Sequence, residues 1–464
     1  MTPCLIQFAL KSGENGTATT IAAPYSGPTP AGTKRTWRSS PTVIGNDDEL
    51  DAGMTEASRR PTWDQLMNRR QMLGGIGVAG LVVLSACTGA PKSSGAKPSA
   101  GASGSASKPK APTAQLAIAV PDGSAGLSPA TPIAVSVTAG KITDVTVTDQ
   151  TGAVIKGAAD ATGAAWANTD PLTYGATYTV DAAAKGEDGK TVTASSTFTT
   201  VAPTAQVFPS IGPLDGTTVG VGMPIRVYFD KPAANRKAVE LAMAVTAAPA
   251  QTGSWNWITD SEVHWRPQVY WQAGSTVKVD VNLLGVDFGN GNWGKVNRSI
   301  GFTVGDAVIS KADTGTHQMV VTKNGAVLRT IPIAAGKEVE GRYTHNGVHV
   351  VSDKKAKMTM DSTTFGLALD AGGYQSEVEW ATRISNNGEF VHSAPWSIGD
   401  QGVRNVSHGC LNASPANAKW FFDLSTAGDI VEVSGSPVPL TQADGDIFDW
   451  TIPWETWAQG TANK

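Results

Sequence analysis

Tyr174-Gly175-Ala176-Thr177-Tyr178-Thr179-Val180-Asp181 and Ala273-Gly274-Ser275-Thr276-Val277-Lys278-Val279-Asp280 carry one pattern twice. In each, a glycine turn leads into residues that alternate between large apolar and polar types, the period of a strand with one buried face. Other features repeat in step. Pro121-Asp122-Gly123 corresponds to Pro213-Leu214-Asp215-Gly216, and Pro132-Ile133-Ala134-Val135 to Pro224-Ile225-Arg226-Val227. Trp166 and Trp265 precede the shared strand, and Phe198 and Phe302 end the two copies. Turn residues recur every 8 to 12 residues or so, the rhythm of a β-sandwich. The pattern predicts two immunoglobulin-like sandwiches, over 113–201 and 202–305. Neither concentrates acids, histidines or cysteines, so both read as spacers. His264, beside Trp265, reads as a satisfied structural histidine.

The composition agrees with a mainly β chain of several domains. Its 464 residues exceed one ordinary domain, only 16% are charged, and Thr and Val alternate. A net charge of −4 with no basic patch gives no reason to expect nucleic acid. The three cysteines, Cys4, Cys87 and Cys410, stand far apart. Cys410 alone follows residue 87, so the mature chain is expected to hold no internal disulfide.

Residues 1–66 lack hydrophobic periodicity and read as a disordered or untranslated extension, with Met54 or Met67 as alternative starts. Asn68-Arg69-Arg70 then heads a short apolar run from Gly74 to Leu84, too short to span a bilayer, which ends in Leu84-Ser85-Ala86-Cys87. Residues 67–87 therefore read as a signal peptide. Its ending resembles a bacterial lipobox, which implies a lipid on Cys87 and a membrane-anchored protein on the outer face of the cell membrane, acting in the periplasm or cell wall. Residues 88–112, with Pro, Ser, Gly, Ala and four lysines, read as a flexible linker.

From 306 to 434 the texture changes. Asn324-Gly325 predicts a tight hairpin between strands over 316–322 and 326–333. Further strands are expected over 347–352, 357–360, 378–385 and 430–433. Ser414-Pro415 predicts a helix start, with Trp420, Phe421 and Leu424 as its apolar face and Gly428 as its stop. A tail over 435–464, with Trp450, Trp454 and Trp457, is expected to lie on this domain. Just before the helix stand His392-Ser393-Ala394-Pro395-Trp396 and Ser407-His408-Gly409-Cys410-Leu411-Asn412. A cysteine is a nucleophile only as thiolate, and a nearby imidazole can take its proton. The N–H groups of Gly409 and Cys410 are candidates for oxyanion donors, and the helix terminus is expected to favour thiolate. With an ordinary imidazole pKa near 6.5, activity is expected to fall on the acid side as His392 gains a proton.

His392, the fourteen residues after it and the Ser407–Asn412 motif resemble the signature of the L,D-transpeptidases, the YkuD-type cell-wall cross-linking enzymes. The segments Met360–Gly366, Glu379–Ser385, Phe390–Ser397 and Asp429–Val433 extend the resemblance to mycobacterial members, as do the tandem modules, the Trp-rich tail and the lipobox. The resemblance implies a β-rich catalytic domain over 306–434. It implies that Cys410 attacks the diaminopimelate–D-alanine bond of a peptidoglycan tetrapeptide stem, releasing D-alanine and leaving a thioester. The side-chain amine of a second stem then resolves the thioester to a 3→3 cross-link. His392 is implied as the base, oriented by the Ser393 carbonyl. Met360, Tyr374, Ser407, Asn412 and Trp396 are implied to line the substrate site, with His408 and Gly409 in the nucleophile loop. Carbapenem-type β-lactams are the implied covalent inhibitors, and no cofactor or metal is implied. Phe365, where relatives often carry tyrosine, is a departure, as is a lid shorter by one residue.

Three other readings compete. The same thiol with water as acceptor would make an L,D-carboxypeptidase. A non-catalytic wall-binding lipoprotein would have no use for an activated thiol. A zinc hydrolase would need His345, His349, His392, His408 and Cys410 to gather, but His345 and His349 fall in a strand-like stretch where their side chains are not expected to converge.

Overall fold

Alternation does set the two N-terminal modules. The computed structural model describes residues 110–365 and 368–464, without the side chains of Phe365 and Ala371. The 1–66 extension, the 67–87 signal with Cys87, the linker as far as residue 109 and the Phe365 side chain lie outside the described residues. In the first module, a four-stranded sheet (Gln115–Ile118, Ala134–Thr138, Ala165–Asn168, Gly157–Ala159) faces a three-stranded one (Gly140–Asp149, Thr177–Gly186, Thr191–Thr199). Val135, Trp166, Tyr178, Val180 and Phe198 close the core between them, with the Tyr178 and Phe198 rings stacked 5.6 Å apart. The second module repeats the plan with two four-stranded sheets and a small three-stranded one. It adds a short helix, Arg236–Leu241, that no sequence signal announced.

The second module's core continues into the following domain. Val350, Ile430 and Ile447 join Val221, Ile225 and Trp271 in one apolar cluster. The Gly220 and Gly222 N–H groups donate to the Ala427 and Gly428 carbonyls, both at 2.8 Å. A Cβ on Gly220 would stand 2.2 Å from Asp429 N, so only glycine lets these backbones meet.

The tail corrects an expectation. Its first part does run along the catalytic domain, where Leu440 N donates to Asn346 O and Ser352 Oγ to Asp446 Oδ2. Its tryptophans, however, land on the second sandwich. Trp450 Nε1 donates to Gly222 O, Trp457 Nε1 donates to Ser254 O, and the Arg266 guanidinium lies over the rings of Trp450, Trp454 and Trp457. The cause is chemical: a buried arginine on a sandwich strand needs aromatic faces and carbonyls, and the tail supplies both. His264 is indeed satisfied structurally, between Glu262 and the tail's Asp449, at 2.7 and 3.0 Å.

The domain over 306–434 has two sheets among the described residues. The first runs in the order Ala326–Pro332, Gln318–Lys323, Val308–Asp313, Ile430–Ser434, Gly347–Val350. Asn324 and Gly325 both adopt positive φ, as the predicted tight turn requires. The second sheet runs Asp353–Asp361, Gln375–Arg383, Phe390–Ser393, Leu411–Ala413. The helix Pro415–Leu424 starts as expected, with Ser414 Oγ accepting from Asn417 N. It buries Ala418 and Phe421 in the core, while Trp420 and Leu424 are only partly covered.

Candidate active site

The strands Phe390–Ser393 and Leu411–Ala413 pair in parallel, with Val391 beside Leu411 and His392 beside Asn412. Side chains alternate along a strand, and paired residues share a face. Val391 and Leu411 enter the domain core, so His392 and Asn412 project from the other face, together with Cys410 two residues before Asn412. That face opens on a cavity of about 530 Å³, lined among others by Met360, Tyr374, His392, Trp396, Cys410 and Asn412. One strand pairing thus brings together two segments separated in sequence.

His392 is almost wholly buried, and its Nδ1 donates to the Ser393 carbonyl at 2.9 Å. A carbonyl only accepts, so the neutral ring carries its hydrogen on Nδ1 and its basic lone pair on Nε2. The Asn412 side chain is a second partner of the ring, and its Nδ2 donates to Ser397 Oγ at 3.1 Å. Burial outweighs both bonds and lowers the His392 pKa to about 4.

Burial pushes the Cys410 thiol up to about 12, helped by the nearby Glu389 carboxylate and opposed by the Phe390 amide and Arg383. The expected thiolate bias from the helix terminus is therefore overridden. At rest the thiol donates to Gly388 O at 3.4 Å, and no hydrogen bond joins it to His392. The two groups share one cavity as a neutral thiol and a neutral imidazole.

The Ser407–Cys410 loop is held by its own hydroxyl. Ser407 Oγ donates to Cys410 O at 2.6 Å and accepts from Gly409 N at 3.1 Å. The Gly409 N–H, expected to face an oxyanion, is thereby used inside the loop. Gly409 sits at φ +125°, a backbone state L side chains rarely adopt, and its carbonyl accepts from Thr344 Oγ1 at 2.7 Å.

Family models match the chain as a bacterial Ig domain over residues 124–287, spanning parts of both sandwiches, and as the L,D-transpeptidase catalytic domain over 307–433. L,D-transpeptidase 2 of Mycobacterium tuberculosis is 40% identical over 349 residues, which cover 75% of this chain and 85% of the relative. The chain belongs to the L,D-transpeptidases. L,D-transpeptidase 5 of the same species is 39% identical, over 77% of this chain and 79% of its own. Among solved structures, L,D-transpeptidase 3 from M. tuberculosis in complex with a faropenem-derived adduct is 32% identical, with a TM-score of 0.42, covering 50% of this chain and 98% of its own.

In this transpeptidase a loop with the short turns Ser362–Phe365 and Leu369–Ala371 leads to Tyr374, which lines the cavity. Tyr374, at its end, is tied to Ser362 by two hydrogen bonds, Tyr374 N to Ser362 Oγ and Ser362 N to Tyr374 O. Its ring lies 4.8 Å from that of His408, and burial pushes its hydroxyl well above the ordinary tyrosine range. The Gly372 carbonyl is held by Arg342 and His408, which joins this loop to the Ser407–Cys410 loop. Met360 packs against Phe390 and Cys410. Trp396 is 59% exposed at the rim, its ring 6.0 Å from His392's.

On the far side of Met360 and Tyr374 lies a second cavity of about 320 Å³, reaching Arg383, Asn386 and Gly388. Sequence reasoning missed Arg383 and Gly388 as site residues, because only the strand pairing brings them beside Cys410. It also misjudged His345 and His349, whose side chains do converge, on Glu389. His345 stands before the strand Gly347–Val350, and the His349 ring reaches back to the His345 carbonyl, with Nε2 at 2.8 Å from it.

Proposed function

We propose that the enzyme forms 3→3 cross-links between peptidoglycan stems through a thioester on Cys410, with release of D-alanine. In this reading His392 Nε2 takes the thiol proton as sulfur attacks the diaminopimelate carbonyl of a tetrapeptide stem. Because both groups start neutral, proton transfer accompanies attack. The Cys410 N–H and the Tyr374 hydroxyl receive the oxyanion, since Ser407 takes the Gly409 N–H. The imidazolium then gives its proton to the leaving amine of D-alanine, and the thioester remains. The side-chain amine of a second diaminopimelate attacks the thioester, and its proton returns the thiol.

The observation that carries this reading is the pair of cavities sharing Met360 and Tyr374, with Cys410 lining one and its hydrogen-bond acceptor Gly388 lining the other. A transpeptidase must admit two stems to one sulfur, whereas a hydrolase needs one stem and water. Carbapenem-type β-lactams, which offer a strained carbonyl, are proposed to acylate the same sulfur. The signal, the Cys87 lipobox and the linker support a lipid-anchored enzyme on the outer face of the cell membrane, working in the cell wall. The test is incubation with purified disaccharide-tetrapeptide and mass spectrometry of the products. A dimer lighter than two donors by one D-alanine, with fragments joining two diaminopimelates, is expected. A tripeptide monomer alone would mean that water is the acceptor.

A further inference from the structure

Directly behind the nucleophile lies a buried acid that the reaction above does not use. Glu389 is 3% exposed and stands between Gly388, whose carbonyl receives the Cys410 thiol, and Phe390, whose amide faces the sulfur. Its Oε1 accepts from the His345 N–H and from His345 Nδ1, both at 2.8 Å. Its Oε2 is buried with no hydrogen-bond partner among the described residues, 3.5 Å from His349 Nδ1. The side chain also faces the nucleophile loop. A Cβ on Gly409 would meet Glu389 Cγ at 3.5 Å and Oε1 at 3.6 Å, while Thr344, next to His345, holds the Gly409 carbonyl. Burying a carboxylate with one oxygen unpaired is costly, and a purely structural filler would be apolar.

We propose that Glu389 is a positioning residue for the nucleophile: held by His345, its carboxylate backs the Gly409–Cys410 turn. The charged and titratable groups around the sulfur give it competitors. Arg383 on the neighbouring strand favours thiolate, whereas His392 lines the same cavity and Tyr374 and His408 line it from the two loops. His345 also feels Asp444 from the tail, and its pKa is raised chiefly by its bond to Glu389. Burial is the larger cause of the raised thiol pKa, and the carboxylate's negative charge adds to it in opposing thiolate formation.

The inference rests on Cys410 as nucleophile, and its readout is chosen to be independent of acyl transfer. The rate of Cys410 alkylation by iodoacetamide is followed against pH in the full chain, by mass spectrometry of the Cys410 peptide, for wild type, Glu389→Gln and His345→Asn. Glu389→Gln keeps the shape and removes the charge, so the alkylation midpoint should fall by about one pH unit. His345→Asn removes the ring donor to Oε1 and leaves the carboxylate's charge less compensated, so the midpoint should rise. Loss of packing alone would move both variants the same way. Midpoints that coincide with wild type, or that shift in the same direction, overturn the proposal. If Glu389→Gln does not fold by circular dichroism, the sign for His345→Asn decides alone, a rise supporting and a fall or no change refuting. A shifted midpoint in an enzyme that forms no β-lactam adduct would sink the functional reading and leave this one standing.

Discussion

The acid limb of the reaction separates a buried, neutral pair from an ordinary solvent-exposed histidine. His392 is lowered to about 4 because burial penalises the imidazolium more than Ser393 and Asn412 support it. At pH 5 a ring with that value is ~90% neutral, whereas a ring at 6.5 would be only ~3% neutral. Acylation of free enzyme depends on the neutral base, so the second-order rate at pH 5 should stay within about twofold of that at pH 8. With the thiol pushed up to about 12, no alkaline limb should appear below pH 9 either. The assay is loss of β-lactam absorbance under pseudo-first-order conditions from pH 4.5 to 9, each rate corrected for the drug's own hydrolysis. The apparent values belong to the coupled pair, so the position of the limb is the observable. A tenfold or greater fall centred between pH 6 and 7 would refute the reasoning and restore the expectation drawn from the residue type alone.

Other perturbations reach the supports of the site. Ser407→Ala removes the donor to Cys410 O and the acceptor for Gly409 N, leaving buried polar groups unpaired. It should cost about 2–3 kcal/mol in urea unfolding and slow acylation by about tenfold or more. Asp429 is raised to about 7 by burial, so the folded state holds a proton that the unfolded chain releases. That contribution is fully present below about pH 4 and lost as pH rises through 7; Asp429→Asn should flatten the melting temperature across this window and gain up to about 4 kcal/mol at pH 8. Trp457 is fully buried against the second sandwich, and Trp457→Ala should lower stability by about 3–5 kcal/mol in denaturant melts while the β-lactam acylation rate per folded enzyme stays near wild type.

What the residues reveal on their own depends on how local the cause is. The Asn324-Gly325 hairpin and the Ser414-Pro415 helix start are written in adjacent residues, and both appear where expected. The first catalytic strand, Val308–Asp313, was not anticipated, because its inward positions include Ser310 and Ala312, too small to stand out in an apolar pattern. His392 and Cys410 were legible as chemistry, but their protonation was not. It follows from how deeply a parallel strand pair buries them, and neither segment encodes that depth alone. Glu389 was invisible for the same reason: a glutamate in a polar turn reads as surface until His345, distant in sequence, is folded onto it.

In the proposed reaction Cys410 carries the acyl group. Intact mass after incubation with a carbapenem, followed by peptide mapping, tests it most directly. A single adduct of the drug's mass is expected on the peptide containing Cys410, absent from Cys410→Ala. An adduct on another residue, or one that survives in Cys410→Ala, would contradict it.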